Sequence, residues 1–389
     1  MDQSGIIHNS GYKRYSFRAN LARKVHEWIE IGTNMSFTNS LKLTCIKRIS
    51  VSDGIIRGAL FYPATAPLDD ETNNAQLNWF SSNPYVYTRA AKDELTTNSF
   101  FSSSFVEITP YKDLKVRQNV GFSYNINERD VYYNRETVEG KDPTNGYASK
   151  ADNWSKNLVL ETMATYNKTF NRNHSLNVVA AFSYERGDYG NKAMVATGFP
   201  QDLTEDFDMS AAVNPQKPTS GRGMTSLVSF LGRANYNLMN KYLFTASFRR
   251  DGSSKFAPGN KWSNFASGAI AWRASEEQFI KDLNVFSNLK FRASYGQTGN
   301  QAIGAYATRD YLTVANYPIN GALASGFANL TWRGPANPDL KWETTSQYNV
   351  GVDMGFFQNR INLTIDLYYK KTSDLLQNIQ IPQVQVFQI

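Results

Sequence analysis

Cysteine is nearly missing from these 389 residues: Cys45 stands alone, which rules out an internal disulfide framework and a thiolate metal cluster. It reads as a bland thiol in a loop. Histidine is almost as scarce, at His8, His26 and His174, too far apart in sequence for a zinc site or a His-based catalytic pair. No P-loop or dinucleotide-binding glycine pattern stands at a strand-to-helix junction, so neither a cofactor nor an enzyme activity is expected. Long hydrophobic runs are lacking too: no window approaches the roughly 18 apolar residues of a spanning helix, and the mean hydropathy is −0.47. That excludes a helical membrane protein only, because barrel strands alternate apolar with polar residues and keep a low mean hydropathy. The net charge of +7 is spread without a block of like charge, which argues against nucleic-acid binding and fits a solvated lumen and loop surface. The amino terminus also lacks the basic, apolar and small-residue regions of a secretory leader, so either the protein stays inside the cell or its true start lies upstream.

What is present is aromatic. Phe, Tyr and Trp make up 14% of the chain, with 22 Tyr and 24 Phe, against 19% charged residues, a balance that favours half-buried pleated surfaces. Twelve segments alternate with a period of two. Tyr15, Phe17, Ala19 and Leu21 oppose Ser16, Arg18 and Asn20; Ile31, Thr33, Met35 and Phe37 follow. Residues 99–108 and the set Leu114, Val116, Val120, Phe122 and Tyr124 supply the next two. The middle is clearest, with Leu158 to Tyr166, Leu176 to Tyr184, Val228 to Tyr236 and Tyr242 to Phe248. The last four lie near 261–273, 289–298, 343–355 and 360–372.

The connections alternate as well. Short turns join strands one and two, three and four, five and six, seven and eight, and eleven and twelve, whereas residues 40–98, 126–153, 187–225 and 299–342 form long links. The link at 274–288 is a longer exception on the short side. Short turns at one rim and long loops at the other characterise a transmembrane antiparallel barrel. Tyr166, Tyr184, Tyr242, Tyr295 and Tyr369 are expected at segment ends, where amphipathic rings suit a membrane boundary. A soluble β-sandwich or propeller would also alternate, and remains an alternative on pattern alone.

The long links interleave aromatics with amides. Trp79, Phe80, Tyr85 and Tyr87 in one, and Trp332 and Trp342 in another, are the candidate contacts for a sugar face or a partner, since such rings bury much area while their polar tips stay wet. The plainer alternative is that they pack the loops together. Glu205, Asp206 and Asp208 lack the calcium-loop spacing and are expected in a solvated loop, so no metal is expected.

From Leu231 the chain reads LGRANYNLMNKYLFTASFRRDGSSKFAPGNKW, SGAIAWRASEEQFIKD, LKFRASYGQTGNQAIGAY and NPDLKWETTSQYNVGVDMGFFQNRINLTIDLYYKKTSDLL. In that order these segments resemble the SusC/RagA family of TonB-linked outer-membrane proteins. YKRYSFRANLARKVHEWIEIGTNMSFTNS and IIRGALFYPATAP fit the same family more loosely. The resemblance implies an all-β, transmembrane antiparallel barrel of about 22 strands, of which this chain supplies about twelve. It also implies residence in the outer membrane and import of oligosaccharides or peptides. TonB would supply the energy, and a SusD-type surface lipoprotein would close the barrel as a lid. In that orientation Arg250 to Ser254 would lie on the cell surface and the Met239 and Asn240 turn in the periplasm. No residue inherits a site role from the family, whose substrate contacts come from variable loops and the plug.

Against that pattern, the signal peptide, amino-terminal extension, TonB-contacting segment and plug are expected to be absent, with residues 1–389 forming a partial barrel domain. The ending QVQVFQI departs from the family, which suggests an interrupted reading frame. Two unpaired sheet edges would leave unsatisfied backbone groups in hydrocarbon at several kcal/mol each, so an uncompleted chain is expected to misfold. The rival is a self-contained smaller barrel or soluble β-protein that binds glycans or partners through its aromatic loops.

Overall fold

The computed structural model describes residues 1–44, 55–62, 83–309, 312–319, 322–329 and 336–377. A short piece, β1 (Asp2–Ser4), leads into β2 (Gly11–His26), β3 (Ile29–Leu43), β4 (Ala91–Tyr111), β5 (Leu114–Tyr133), β6 (Tyr147–Phe170) and β7 (His174–Thr197). After the two-residue β8 (Asn214–Pro215) come β9 (Thr219–Leu238), β10 (Tyr242–Ser253), β11 (Trp262–Arg273) and β12 (Phe286–Asn300). A separate hairpin of β13 (Leu312–Ile319) and β14 (Ala322–Asn329) precedes β15 (Glu343–Phe356) and β16 (Ile361–Ser373). Each of the twelve expected segments falls on a long strand.

The main sheet holds 14 strands, and its ladder neighbours follow chain order from β1 to β16; β8 pairs only with β7. Every pair is antiparallel. Among the described residues no ladder joins β16 to β1 or β2, so the self-contained closed barrel is not the arrangement seen.

Short turns at 27–28, 112–113, 171–173, 239–241 and 357–360 lie at one rim. Asn171 and Arg172 at φ 48° and 59°, and Met239 and Asn240 at φ 54° and 57°, take the paired left-handed conformation that matches the twist of the flanking strands. Asn tolerates it through local hydrogen bonding. Longer links run at the opposite rim, and the exception on the short side carries a one-turn helix (Gln278–Lys281).

The registers place the apolar sets on one face throughout. Phe17 faces Phe37, Phe122 faces Leu158, Phe182 faces Phe230, Trp272 faces Phe291, and Tyr295 faces Tyr348, which faces Tyr369. Ring pairs such as Phe182–Phe230 at 5.3 Å and Tyr295–Tyr348 at 4.8 Å bind neighbouring strands, worth about 0.5–1.5 kcal/mol each. These side chains have no protein layer over them: Ile270 is 57% exposed and Leu367 71%. A soluble sandwich or propeller would cover such a face, whereas a bilayer covers it with lipid. On β6 the apolar stretch from Leu158 to Tyr166 is about nine residues, close to the 9–11 that a tilted strand needs to cross hydrocarbon.

The strands outrun the apolar stretch. β6 and β7 have 24 residues each, about 80 Å of extended chain, so Tyr184 and Tyr295 mark the edge of the apolar band and not the strand ends. That corrects the expected placement. Beyond the band the alternating signal fades because both faces turn polar, as at Glu128 and Asp130 on β5.

The two faces give opposite outcomes for one substitution. Phe182→Arg on the apolar face is expected to cost the lipid-inserted chain about 2–4 kcal/mol, and Ser183→Arg on the polar face about 0.5 kcal/mol or less. Urea titration in phospholipid vesicles measures both, and equal costs would place the apolar face away from lipid.

Candidate functional site

The polar face is a continuous hydrogen-bonded wall. Across β6, β7, β9 and β10 runs an amide ladder: Asn177 donates to Asn167 at 2.6 Å, Asn235 to Asn177 at 2.8 Å, and Thr245 to Asn235 at 2.9 Å. Nearer the carboxyl end Arg292 on β12 reaches two strands, with 2.9 Å bonds to both carboxylate oxygens of Asp353 on β15 and a 3.0 Å bond to Asp366 on β16. Asn119 on β5 donates to Glu161 on β6 and accepts from Arg117. Pinned side chains of this kind offer a solute both donors and acceptors at little conformational cost.

At the long-loop rim a cavity of about 470 Å³ is lined by Asn9, Arg89, Lys92, Asp93, Tyr132 and Asp202, among others. Its walls are held by ion pairs. Asp93 on β4, almost fully buried, takes both arms of Arg129 from β5 at 2.8 and 2.7 Å. Asp206, within the 198–213 loop, is fully buried, with Lys92 at 2.9 Å and Lys150 at 2.8 Å. Burial pushes the Asp206 carboxyl up, but the hydrogen bonds and charges of Lys150 and Lys92 outweigh it and hold it below the ordinary range. Of the three acids expected in a solvated loop, Asp206 is therefore a buried anchor, whereas Asp208 is exposed as expected and Glu205 partly so. Beside it Phe199 packs edge-on to Tyr132 at 5.6 Å, with Ala148 and Ala196 beneath. Among the described residues no group of three or more His, Cys, Asp or Glu is placed to hold a metal.

The candidate aromatics divide. Tyr85 and Tyr87 lie on a short helix (Pro84–Ala90), started by Pro84 and by Asn83, whose side chain accepts from the Tyr85 amide at 3.0 Å. Tyr85 is exposed, with Arg89 over its ring at 5.6 Å. Tyr87 is buried against Ile55 and donates to Glu139. Trp342 is also buried, between Phe256 at 5.2 Å and Phe265 at 5.7 Å, and its indole donates to the Lys261 carbonyl at 2.9 Å. Tyr87 and Trp342 thus fill the loop-packing role that was the alternative for each. Trp79, Phe80, Trp332 and Cys45 lie outside the described residues.

A family model described as "TonB dependent receptor-like, beta-barrel" matches residues 48–389. The chain belongs to that family. It is 31% identical over 396 residues to TonB-dependent receptor P39 of Formosa agariphila, covering 98% of this chain and 36% of that protein. To TonB-dependent receptor SusC of Bacteroides thetaiotaomicron it is 28% identical, covering 98% of this chain and 40% of that protein. The RagAB peptide importer in its closed-closed state superposes with a TM-score of 0.82 at 24% identity, over 99% of this chain and 43% of that one, a likeness of fold. The SusC/RagA resemblance in the sequence is thereby upheld, and the chain spans less than half the length of these TonB-dependent receptors. Within the barrel the apolar face is the outer one and the amide ladder faces the lumen.

Sequence reasoning missed Asp206, Phe199 and Phe256. Lys92 and Asp206 are 114 positions apart, beyond any local pattern.

Asp206→Ala would leave Lys92 and Lys150 with only the partly exposed Glu205, 3.3 Å from Lys92, and Asp130, 3.2 Å from Lys150, as counter-charges. Removing one partner of a buried pair costs about 3–5 kcal/mol, and since both lysines keep some water about 1–3 kcal/mol is expected here. The measurable result is faster proteolysis within 198–213. Because the folded carboxyl titrates below its unfolded value near 4, its contribution is complete above that value and is lost as pH falls through the lower one. Hydrogen exchange of this loop should accordingly stay slow on acidification until below about pH 4.

Proposed function

We propose that the chain forms part of the wall of an outer-membrane importer of the SusC/RagA type, taking up oligosaccharides or peptides with energy from TonB and a SusD-like surface lipoprotein as its lid. The observation that carries this reading is one sheet with an apolar outer band, a lumen face of fixed amides and ion pairs, and the long links at one rim apart from the β11–β12 link. A hydrated wall with regularly spaced donors and acceptors suits solutes rich in hydroxyl or peptide groups. The peptide-importer name of RagAB and the name SusC support the transport reading. Import belongs to the whole protein, of which the relatives show more than twice this length.

The loop rim is the proposed entry side. Tyr85 is the described aromatic offered there to substrate or lid, and Trp79, Phe80 and Trp332 are further candidates by sequence. A ring of this kind contributes about 0.5–1.5 kcal/mol beyond its buried area, so Tyr85→Ala should weaken substrate or lid binding roughly two- to twelvefold.

Disrupting the gene that carries this chain tests the reading. Loss of growth on one oligosaccharide or peptide as sole nutrient, restored by the intact gene, is expected. So is recovery of the protein with the outer-membrane fraction in company with a lipoprotein. Unchanged growth on every such nutrient, or recovery from the soluble fraction without detergent, would overturn it.

A further inference from the structure

On the outer face, directly beyond the apolar band at the long-loop rim, lies a basic and aromatic cluster. The registers align Lys156 on β6 with Asp188 on β7 and Met224 on β9, and Trp154 with Gly190 and Arg222. Arg186 and Arg222 both approach Asp188, at 2.8 and 3.7 Å. Lys156 is exposed and makes no ion pair among the described residues; it stands 5.3 Å from the Tyr124 ring and 5.4 Å from that of Trp154. One carboxylate against three cations leaves this patch with two positive charges in excess. Trp154 lies so close over Gly190 that a Cβ there would stand 2.8 Å from the ring, which fixes the platform beside Lys156.

A second, independent feature lies lower on the same strands. Ala164, Ala180 and Gly232 form the floor of a depression of about 450 Å³ walled by Phe182, Phe230 and Phe248. Six residues of β7 separate Arg186 from Ala180, about 20 Å of strand. At a tilt near 40° that is about 15 Å of depth, one half of the roughly 30 Å hydrocarbon core. The depression therefore lies where the chain ends of a lipid anchored at Lys156, Arg186 and Arg222 would reach.

We propose that this face is a binding site for a phosphate-bearing lipid of the surface leaflet, its head group on Lys156, Arg186 and Arg222 and its acyl chain in the depression. Charge complementarity selects the anion, since each basic side chain at a membrane surface favours an anionic head group. The inference rests on the membrane-spanning reading.

Native mass spectrometry of the full chain released from neutral detergent tests it, with dioleoyl phosphatidate or dioleoyl phosphatidylcholine as the added lipid. Phosphatidate should be retained at concentrations about thirtyfold lower than phosphatidylcholine, the value for two excess charges. Lys156→Gln with Arg186→Gln and Arg222→Gln should erase the preference, whereas Lys168→Gln with Arg172→Gln at the opposite rim should keep it. If the triple variant fails to fold, Arg222→Gln alone should cut the preference about fivefold. Equal retention of the two lipids by the unaltered chain, a preference surviving the triple change, or displacement of phosphatidate by millimolar inorganic phosphate would each overturn the proposal. Equal retention with continued need for detergent would leave the membrane-spanning reading standing; binding of neither lipid by a chain soluble without detergent would remove both.

Discussion

Hydrogen bonding of the backbone is the constraint from which the rest of this structure follows. In hydrocarbon every amide and carbonyl must find its partner within the protein, so each strand has to be paired on both sides over the full depth of the membrane. From β3 to β15 the main-sheet ladders supply that pairing without a crossover, and β2 and β16 are the two edges. Once register is set the two faces are set with it, because a slip by one residue would turn every apolar side chain inward. The cross-strand rings and the lumen amides lie on opposite sides of the same ladders and hold the same register twice.

The period of two was legible in the residues because lipid and lumen demand opposite chemistry at adjacent positions, as at Phe182 and Ser183. All twelve long strands could be located on that contrast. It also explains where reading stopped: beyond Tyr184 on β7 apolar residues no longer recur at alternate positions, so the strand runs on to Thr197 with no period of two to mark it. Turn chemistry helped at Asn171 and Asn240, where the residues themselves favour a left-handed backbone.

The loop rim was less legible, and the reason is distance along the chain. Aromatic content alone did not distinguish Tyr85, left on the surface, from Tyr87, two positions on and on the opposite side of a seven-residue helix. Trp342 is enclosed by Phe256 from the β10–β11 link and Phe265 from β11. Asp206 looked like one of several loop acids, and only the fold supplies the two lysines that make its burial tolerable.

Every ladder in the main sheet joins strands that are near neighbours in the chain, and this gives the wall a modular grammar. One short turn, one long link and the two strands between them make a repeating unit whose pairing needs nothing from strands farther round. Adding or removing one such unit leaves the flanking registers intact and changes the circumference by two strands, with pore width following strand number. The short-turn rim can stay uniform while each long link diverges by itself. Pore width and surface specificity are thereby separable variables, open to change at different places in one gene.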